Sequence, residues 1–266
     1  MPTDLSTSAP DARTRRGTVL PLLLLIGYGL LQGAPSTRDL ATQWVQENHV
    51  VEVATFLTLL LGGLLAFDLA RRWRDQRRPT AQTAALRALG VALVLVAMEE
   101  ISWGQQFLHF ATPGLLVEAN AQGETTLHNL RGVQGTAGYL YLLAGTVGLL
   151  LTLPARLDDA PDWLRSLTTP SSLVTALVAI TLFGFVKLYA DGFVASATIR
   201  MGVRWTSEVV EMLVGCVGLG YVGVKWTETT RPLANGFRGE VGSVVRLLHL
   251  RLGRRGGLLG RGEDAG

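Results

Sequence analysis

The sequence predicts an all-α polytopic membrane helix bundle: six transmembrane helices, both termini cytoplasmic, and a lid-like outer segment between the third and fourth helices. Three observations predict it. The 266 residues are 48% hydrophobic and 17% charged, with a mean hydropathy of +0.31, too apolar for a water-soluble surface. The 24 Lys/Arg and 21 Asp/Glu fall in clumps separated by uncharged stretches of roughly 20 residues, the length a helix needs to cross the hydrocarbon. The basic clumps also alternate along the chain. A soluble enzyme, a disulfide scaffold and a disordered chain are thereby excluded.

The spans follow in order. Gly17 to Ala34 is the first, preceded by Arg13, Arg15 and Arg16. It has the layout of a signal sequence, but Pro35 follows the one good small-residue stop, so it reads as an uncleaved anchor. Val50 to Ala70 is the second and ends on Arg71, Arg72, Arg74, Arg77 and Arg78. The others run from about Ala88 to Leu108, Gly132 to Leu153, Ser171 to about Ala190, and about Ser207 to Val224. Residues 1–16 form a cytoplasmic tail, 17–226 the membrane domain and 227–266 a basic tail, in which Val241 to Leu252 reads as an amphipathic helix on an anionic leaflet.

Alternating the loops places 19 Lys/Arg on one side and 5 on the other. That asymmetry puts both termini on the cytoplasmic side of the cell (plasma) membrane by the positive-inside rule. Trp73, Trp163 and Trp226 then fall at the inner edge and Trp44, Trp103 and Trp205 at the outer, as an aromatic belt would. A pI near 9.3 is explained by these flanking arginines, which do not interleave with aromatics as a nucleic-acid surface would. Cys216 is alone among apolar neighbours and reads as a packing residue. The glycines, such as Gly62, Gly63 and Gly215, read as close-packing positions between helices, and Asp68 as a surface partner of Arg71.

The acids carry the functional signal. Only 11 residues separate Arg87 from Glu99, 15 separate Glu52 from Asp68, and 13 separate Glu211 from Lys225. None of these gaps covers a full crossing of about 20 residues, so Glu52, Glu99, Glu100 and Glu211 are expected within the outer half of the membrane. Reckoned from the inner boundary at about 1.5 Å per residue, Glu99 and Glu100 lie about 18 Å up and the others slightly higher, forming a layer. His49, Lys187, Asp191 and Glu208 join it from the same side, the outer connection adds His109, Glu118, Glu124, His128, Asn129 and Arg131, and Glu47 is a further acid of the outer side. A carboxylate facing lipid costs about 2.5–3.5 kcal/mol even on lenient insertion scales, so these groups are expected around a shared interior.

The connection between spans three and four is the most informative stretch. It contains Glu99-Glu100-Ile101-Ser102-Trp103-Gly104-Gln105, a Thr112-Pro113-Gly114 break and Gln122-Gly123-Glu124-Thr125-Thr126-Leu127-His128-Asn129. Low charge with Leu, Phe and Val between Pro and Gly breaks suits a lid or re-entrant element. These motifs, with a second-span acid like Glu52 and a last-span pair like Glu208 and Glu211, resemble an uncharacterised family of bacterial multi-pass membrane proteins sharing EEISWGQ, TP and QGE…LHN stretches. The resemblance implies where a site lies but no reaction. Intramembrane proteases of the CAAX-prenyl type also carry a di-glutamate, but here Gly104 stands four after Glu100, and Phe107 is two from His109, so their pattern is not met.

Each site residue has two readings. Glu99 and Glu100 point about 100° apart on a helix, which suits one general base and one protonated acid, or joint binding of a divalent metal ion with His109 or His128. The bland reading is a polar clamp between helices, with Lys187 as partner. Glu124 and His128 are i,i+4 and share a face if Gly123 opens a short helix, giving a metal pair, a base with its orienter, or only a capped loop. His109, beside Phe107 and Phe110, is either a ligand or an anchor for the lid. Glu208 and Glu211, at i,i+3, are either a ligand face or structural partners of Arg200 and Arg204.

These residues suggest an enzyme acting on a lipid or lipid-linked substrate at the outer leaflet. Glu99, Glu100 and His128 are its expected catalytic groups, Glu52 completes the acidic ring, and Arg131, Lys187, Arg200 and Arg204 are candidates for a phosphate headgroup; Glu124, Glu208, Glu211 and His109 are the candidate metal ligands. A cation- or proton-coupled transporter or channel subunit is the alternative, and a structural or assembly subunit the third. No nucleic-acid partner is expected.

Overall fold

The computed structural model describes residues 12–45, 50–121, 123–133 and 135–256, and among these the side chains outside 12–22, 106 and 231–256. The described chain is helical: α1 (Ala12–Gly33), α2 (Arg38–Trp44), α3 (Val50–Asp75), α4 (Thr80–Glu100), α5 (Gln105–Leu108), α6 (Gly114–Ala119), α7 (Ala137–Leu150), α8 (Asp162–Ser166), α9 (Val174–Phe193) and α10 (Ala197–Gly256). The β pairing seen among these residues is one isolated bridge, Asn120 to Leu130. The chain divides into two compact units, Met1–Gly223 and Val224–Gly266. In the second, the helical backbone of α10 continues through 241–252 as part of one uninterrupted helix. The side chains that would make that stretch amphipathic lie outside those described.

Five helices are long and apolar enough to cross a membrane: Val50–Asp75, Thr80–Glu100, Ala137–Ala155, Ser171–Phe193 and Ala197–Thr230. This is a multi-pass membrane protein. Of the expected first span, the described side chains give a shorter apolar stretch, Leu23–Gly33 within α1, and its basic flank lies outside them.

Prolines set where several helices begin. Pro79, Pro113, Pro161 and Pro170 each stand immediately before a helical segment, with φ between −51° and −59° and ψ near 140°. A proline lacks the N–H that an interior helical position must donate, so the helix starts after it. This corrects the third span. It was expected from Ala88 to Leu108, but α4 starts at Thr80, about two turns before Arg87 and directly after Pro79, and is complete by Glu100. Arg87 is an exposed residue inside the helix, and Glu99 and Glu100 occupy the helix end. Beyond them Ser102, Trp103 and Gly104 all take positive φ, which stops the helix. The last span is likewise longer than expected, because α10 begins at Ala197 and carries Arg200, Arg204, Glu208 and Glu211 on one continuous helix.

Two helix pairs form the scaffold. α3 packs along α4, with Leu59, Leu93 and Ala97 in a buried seam. The approach is close: a Cβ on Gly63 would stand 2.6 Å from Val94 Cγ2 and 3.0 Å from the Gly90 carbonyl. α7 packs along α9 in the same way, and a Cβ on Gly184 would meet the Leu142 backbone nitrogen at 2.9 Å. Small residues let backbones approach where no hydrophobic effect drives helices together in lipid. Tyr141, Ala176, Ile180, Val210 and Leu213 join α7, α9 and α10 in a second cluster. A third, Tyr28, Ala41, Val45, Val51 and Val209, ties α1 and α2 to α3 and α10. Asp68 is bound to Arg71 and Arg72 at 2.6 Å each, as a surface pair at the end of α3. Cys216 is exposed on α10 and so does not pack as expected.

Candidate functional site

The helices enclose a cavity of about 1570 Å³. Each wall is a helical stripe. On α4 it runs Leu86, Leu89, Leu93, Val96 and Glu100; on α7 Leu140, Leu143, Ala144, Val147 and on to Leu151; on α10 Arg204, Glu208, Glu211, Val214 and Tyr221. These spacings of three and four residues keep one face of a helix on the cavity. The polar groups gather at the end where α4 stops. Glu52, Glu99, Glu100, Glu124, His128, Tyr141, Lys187, Asp191, Arg204, Glu208 and Glu211 line that part. The remaining lining is dominated by leucine and valine.

Glu99 and Glu100 have different surroundings. Glu99 Oε1 accepts the Trp103 Nε1–H at 2.6 Å, and its Oε2 accepts the backbone N–H groups of Leu127 at 2.7 Å and His128 at 3.1 Å. The same oxygen lies 3.2 Å from His128 Nδ1. Glu99 is therefore the clamp foreseen as the bland alternative, but it holds the connecting segment, while Lys187 pairs with Asp191 at 3.2 Å. Glu100 carries no hydrogen bond or ion pair among the described residues; its strongest electrostatic neighbours are Glu211, Glu208, Glu52 and Glu99. Glu211 accepts a short hydrogen bond from the Tyr141 hydroxyl and feels the charges of His128 and Lys187.

The connecting segment 101–136 is built from its own polar side chains. Ser102 Oγ donates to Glu124 Oε2 at 3.0 Å, and Asn129 Nδ2 approaches the same oxygen at 3.4 Å. Gln105 Oε1 accepts from both the N–H and the hydroxyl of Thr125 at 2.8 Å, while its Nε2 donates to Thr112 Oγ1 at 2.7 Å. Thr112 in turn donates to the Gly123 carbonyl, and Asn120 Nδ2 donates to the Thr126 carbonyl at 2.8 Å. This corrects the expected helix from Gly123: Gly123 sits at φ 71° in a string of bends, and the short helices of the segment, α5 and α6, both precede it. Glu124 and His128 still both line the cavity, but the carboxylate that orients the imidazole is Glu99.

Of the expected site residues, Glu52, Glu99, Glu100, Glu124, His128, Lys187, Arg204, Glu208 and Glu211 share the cavity. His109 and Arg131 are exposed and do not line it. Arg200 lines a smaller recess of about 300 Å³ with Lys187, Asp191, Met201 and Arg204, and donates to the Val194 carbonyl at 2.9 Å. Glu47 and His49 lie outside the described residues. Among the described residues no three His, Cys, Asp or Glu side chains converge in a group fit to hold a metal ion. Tyr141 was missed by sequence reasoning; its signal was a hydroxyl midway along an otherwise apolar span. Compared with models of known protein families, with characterised proteins and with solved structures, the chain matches none.

Proposed function

We propose that this is a six-span membrane protein, both termini cytoplasmic, that takes an amphiphilic lipid or lipid-linked substrate into its cavity and acts on the polar group in the outer half of the bilayer. One observation carries the reading: a single large cavity joins a carboxylate-rich end to a long apolar shaft. From Thr136 to Leu151 the α7 wall is about 22 Å long at 1.5 Å per residue, against roughly 15 Å for the hydrocarbon of one leaflet. A lipid tail fits that shaft. Membership in the multi-pass family that the Glu99–Asn129 motifs resemble belongs to the same proposal, as does a lid role for the connecting segment.

The chemistry follows from hydrogen-bond roles. An ionised Glu99 only accepts, so His128 Nδ1 carries the proton between them, and Nε2 is left as the nitrogen that can take a proton from a substrate. Glu99 is thus a positioning residue for His128. Glu100, with carboxylates around it, is the group best placed to hold and return a proton, and Tyr141 fixes Glu211 beside it. Lys187 and Arg204, at the same end, are placed for an anionic group of the substrate. Among the described residues no group of three His, Cys, Asp or Glu side chains is placed to hold a metal ion.

A cation pathway is less well supported. Away from the carboxylates the hydroxyls on the lining turn to backbone: Thr169 donates to the Gly148 carbonyl at 2.8 Å and Tyr221 to the Leu167 carbonyl at 2.9 Å. The test is lipid mass spectrometry of membranes containing the parent or Glu100→Gln. A parent-dependent lipid product that falls at least about 100-fold in the variant supports the enzyme, a loss typical of removing a general acid–base group. Glu100-dependent uptake of H⁺ or Na⁺ by proteoliposomes, with no lipid product, would replace it with a transporter.

A further inference from the structure

The cavity has one leaky wall. α4 and α7 both line it but are not among the helix pairs that pack closely together, although each packs tightly on another neighbour, α3 and α9 respectively. The exposure of the lining residues marks the gap. Leu177 and Ile180 on α9 line the same cavity and are only 3% and 1% exposed, so facing the cavity does not in itself expose a side chain. Leu140, Leu143 and Val147 on α7 are 59%, 62% and 44% exposed, and Val96 on α4 is 46%. These four are apolar and sit on the edges of the two helices. An open seam edged by leucine and valine is stable in hydrocarbon and would not be stable in water. Above it, the connecting segment joins the ends of α4 and α7 and is fastened by the Glu99 bonds to Leu127 and His128.

We infer that the α4–α7 seam is a lateral entrance through which the hydrocarbon tail of a bilayer lipid passes into the shaft, leaving its polar group at the carboxylate end. The inference rests on the reading of the cavity as a lipid site and adds the route and the source: the ligand comes from the membrane plane and not from water through the connecting segment. The chemistry of the two edges recognises only an aliphatic chain, so specificity belongs to the polar group. Any phospholipid whose tail reaches the seam is then a competent probe of entry.

The full-length protein is placed in nanodiscs of phosphatidylethanolamine and phosphatidylglycerol, doped with a phospholipid bearing a diazirine at the end of one acyl chain. After illumination, labelled residues are mapped by mass spectrometry. The expected result is labelling of the shaft floor, Leu167, Leu177 or Tyr221. It should fall about tenfold or more in Leu143→Trp/Val147→Trp, a reduction equivalent to about 1.4 kcal/mol of blocked entry. Val96→Trp narrows the seam from the opposite helix and should act in the same direction, so a folding defect in one variant does not decide the matter. Leu182→Trp/Phe185→Trp, on exposed positions of α9 that do not line the cavity, should leave the labelling unchanged. Floor labelling that ignores both seam variants would overturn the lateral route while leaving the cavity a lipid site. Labelling confined to surface positions such as Leu182 and Phe185 would overturn the route and the lipid-site reading together.

Discussion

The connecting segment and the carboxylate end of the cavity are neighbours of similar polarity in which the acids meet different company. In the segment, polar side chains are matched to one another: Gln105 with Thr112 and Thr125, Ser102 with Glu124, Asn120 with Thr126, and Glu99 with Trp103, Leu127 and His128. In the cavity, carboxylates face carboxylates, with Glu100 set among Glu211, Glu208, Glu52 and Glu99. Matched polar groups in a dry setting specify structure. Like charges gathered at one place oppose it, and their presence there points to function. Glu99 belongs to the first class and Glu100 to the second, although they are adjacent in sequence.

That contrast predicts an order of stability effects. Glu99→Ala has the largest, about 3 kcal/mol, because it removes a charged acceptor and strands four N–H donors. Thermal unfolding in detergent measures the loss, and hydrogen exchange at the Leu127 and His128 amides should rise most. Gln105→Ala comes next at about 2 kcal/mol, since it takes away three hydrogen bonds that tie Thr112 to Thr125. If either variant melts like the parent, the matched network is not what holds the segment. Tyr141→Phe should cost about 1 kcal/mol, the worth of one hydrogen bond, and lower activity by releasing Glu211. A larger loss would move Glu211 into the structural class.

The membrane class, five of the six expected spans and the clustering of acids at one end were legible in the sequence, because hydropathy and the scarcity of charge are local signals. Glu52, Glu99, Glu100, Glu208 and Glu211 do meet around one cavity. The start of α4 was misplaced because Arg87 was taken as a boundary, whereas Pro79 is the stronger stop and a long arginine tolerates an exposed helical position. The helix expected from Gly123 failed because the i,i+4 spacing of Glu124 and His128 carries no information when the backbone is held by side chains from Gln105 and Asn120. Glu99 as partner of His128 was out of reach, since 29 residues separate them and nothing local signals the pairing. The same holds for Tyr141 and Glu211, which meet only when α7 packs beside α10.

The central claim is that Glu100 serves chemistry and not architecture, and Glu100→Gln tests it most directly when stability and lipid product are measured on the same preparation. The account predicts a variant that unfolds at the parent's temperature or above it, because a neutral amide of the same size replaces one of several facing carboxyl groups, while the lipid product falls at least about 100-fold. A variant that loses several kcal/mol of stability, or one that keeps the parent's lipid product, would contradict it.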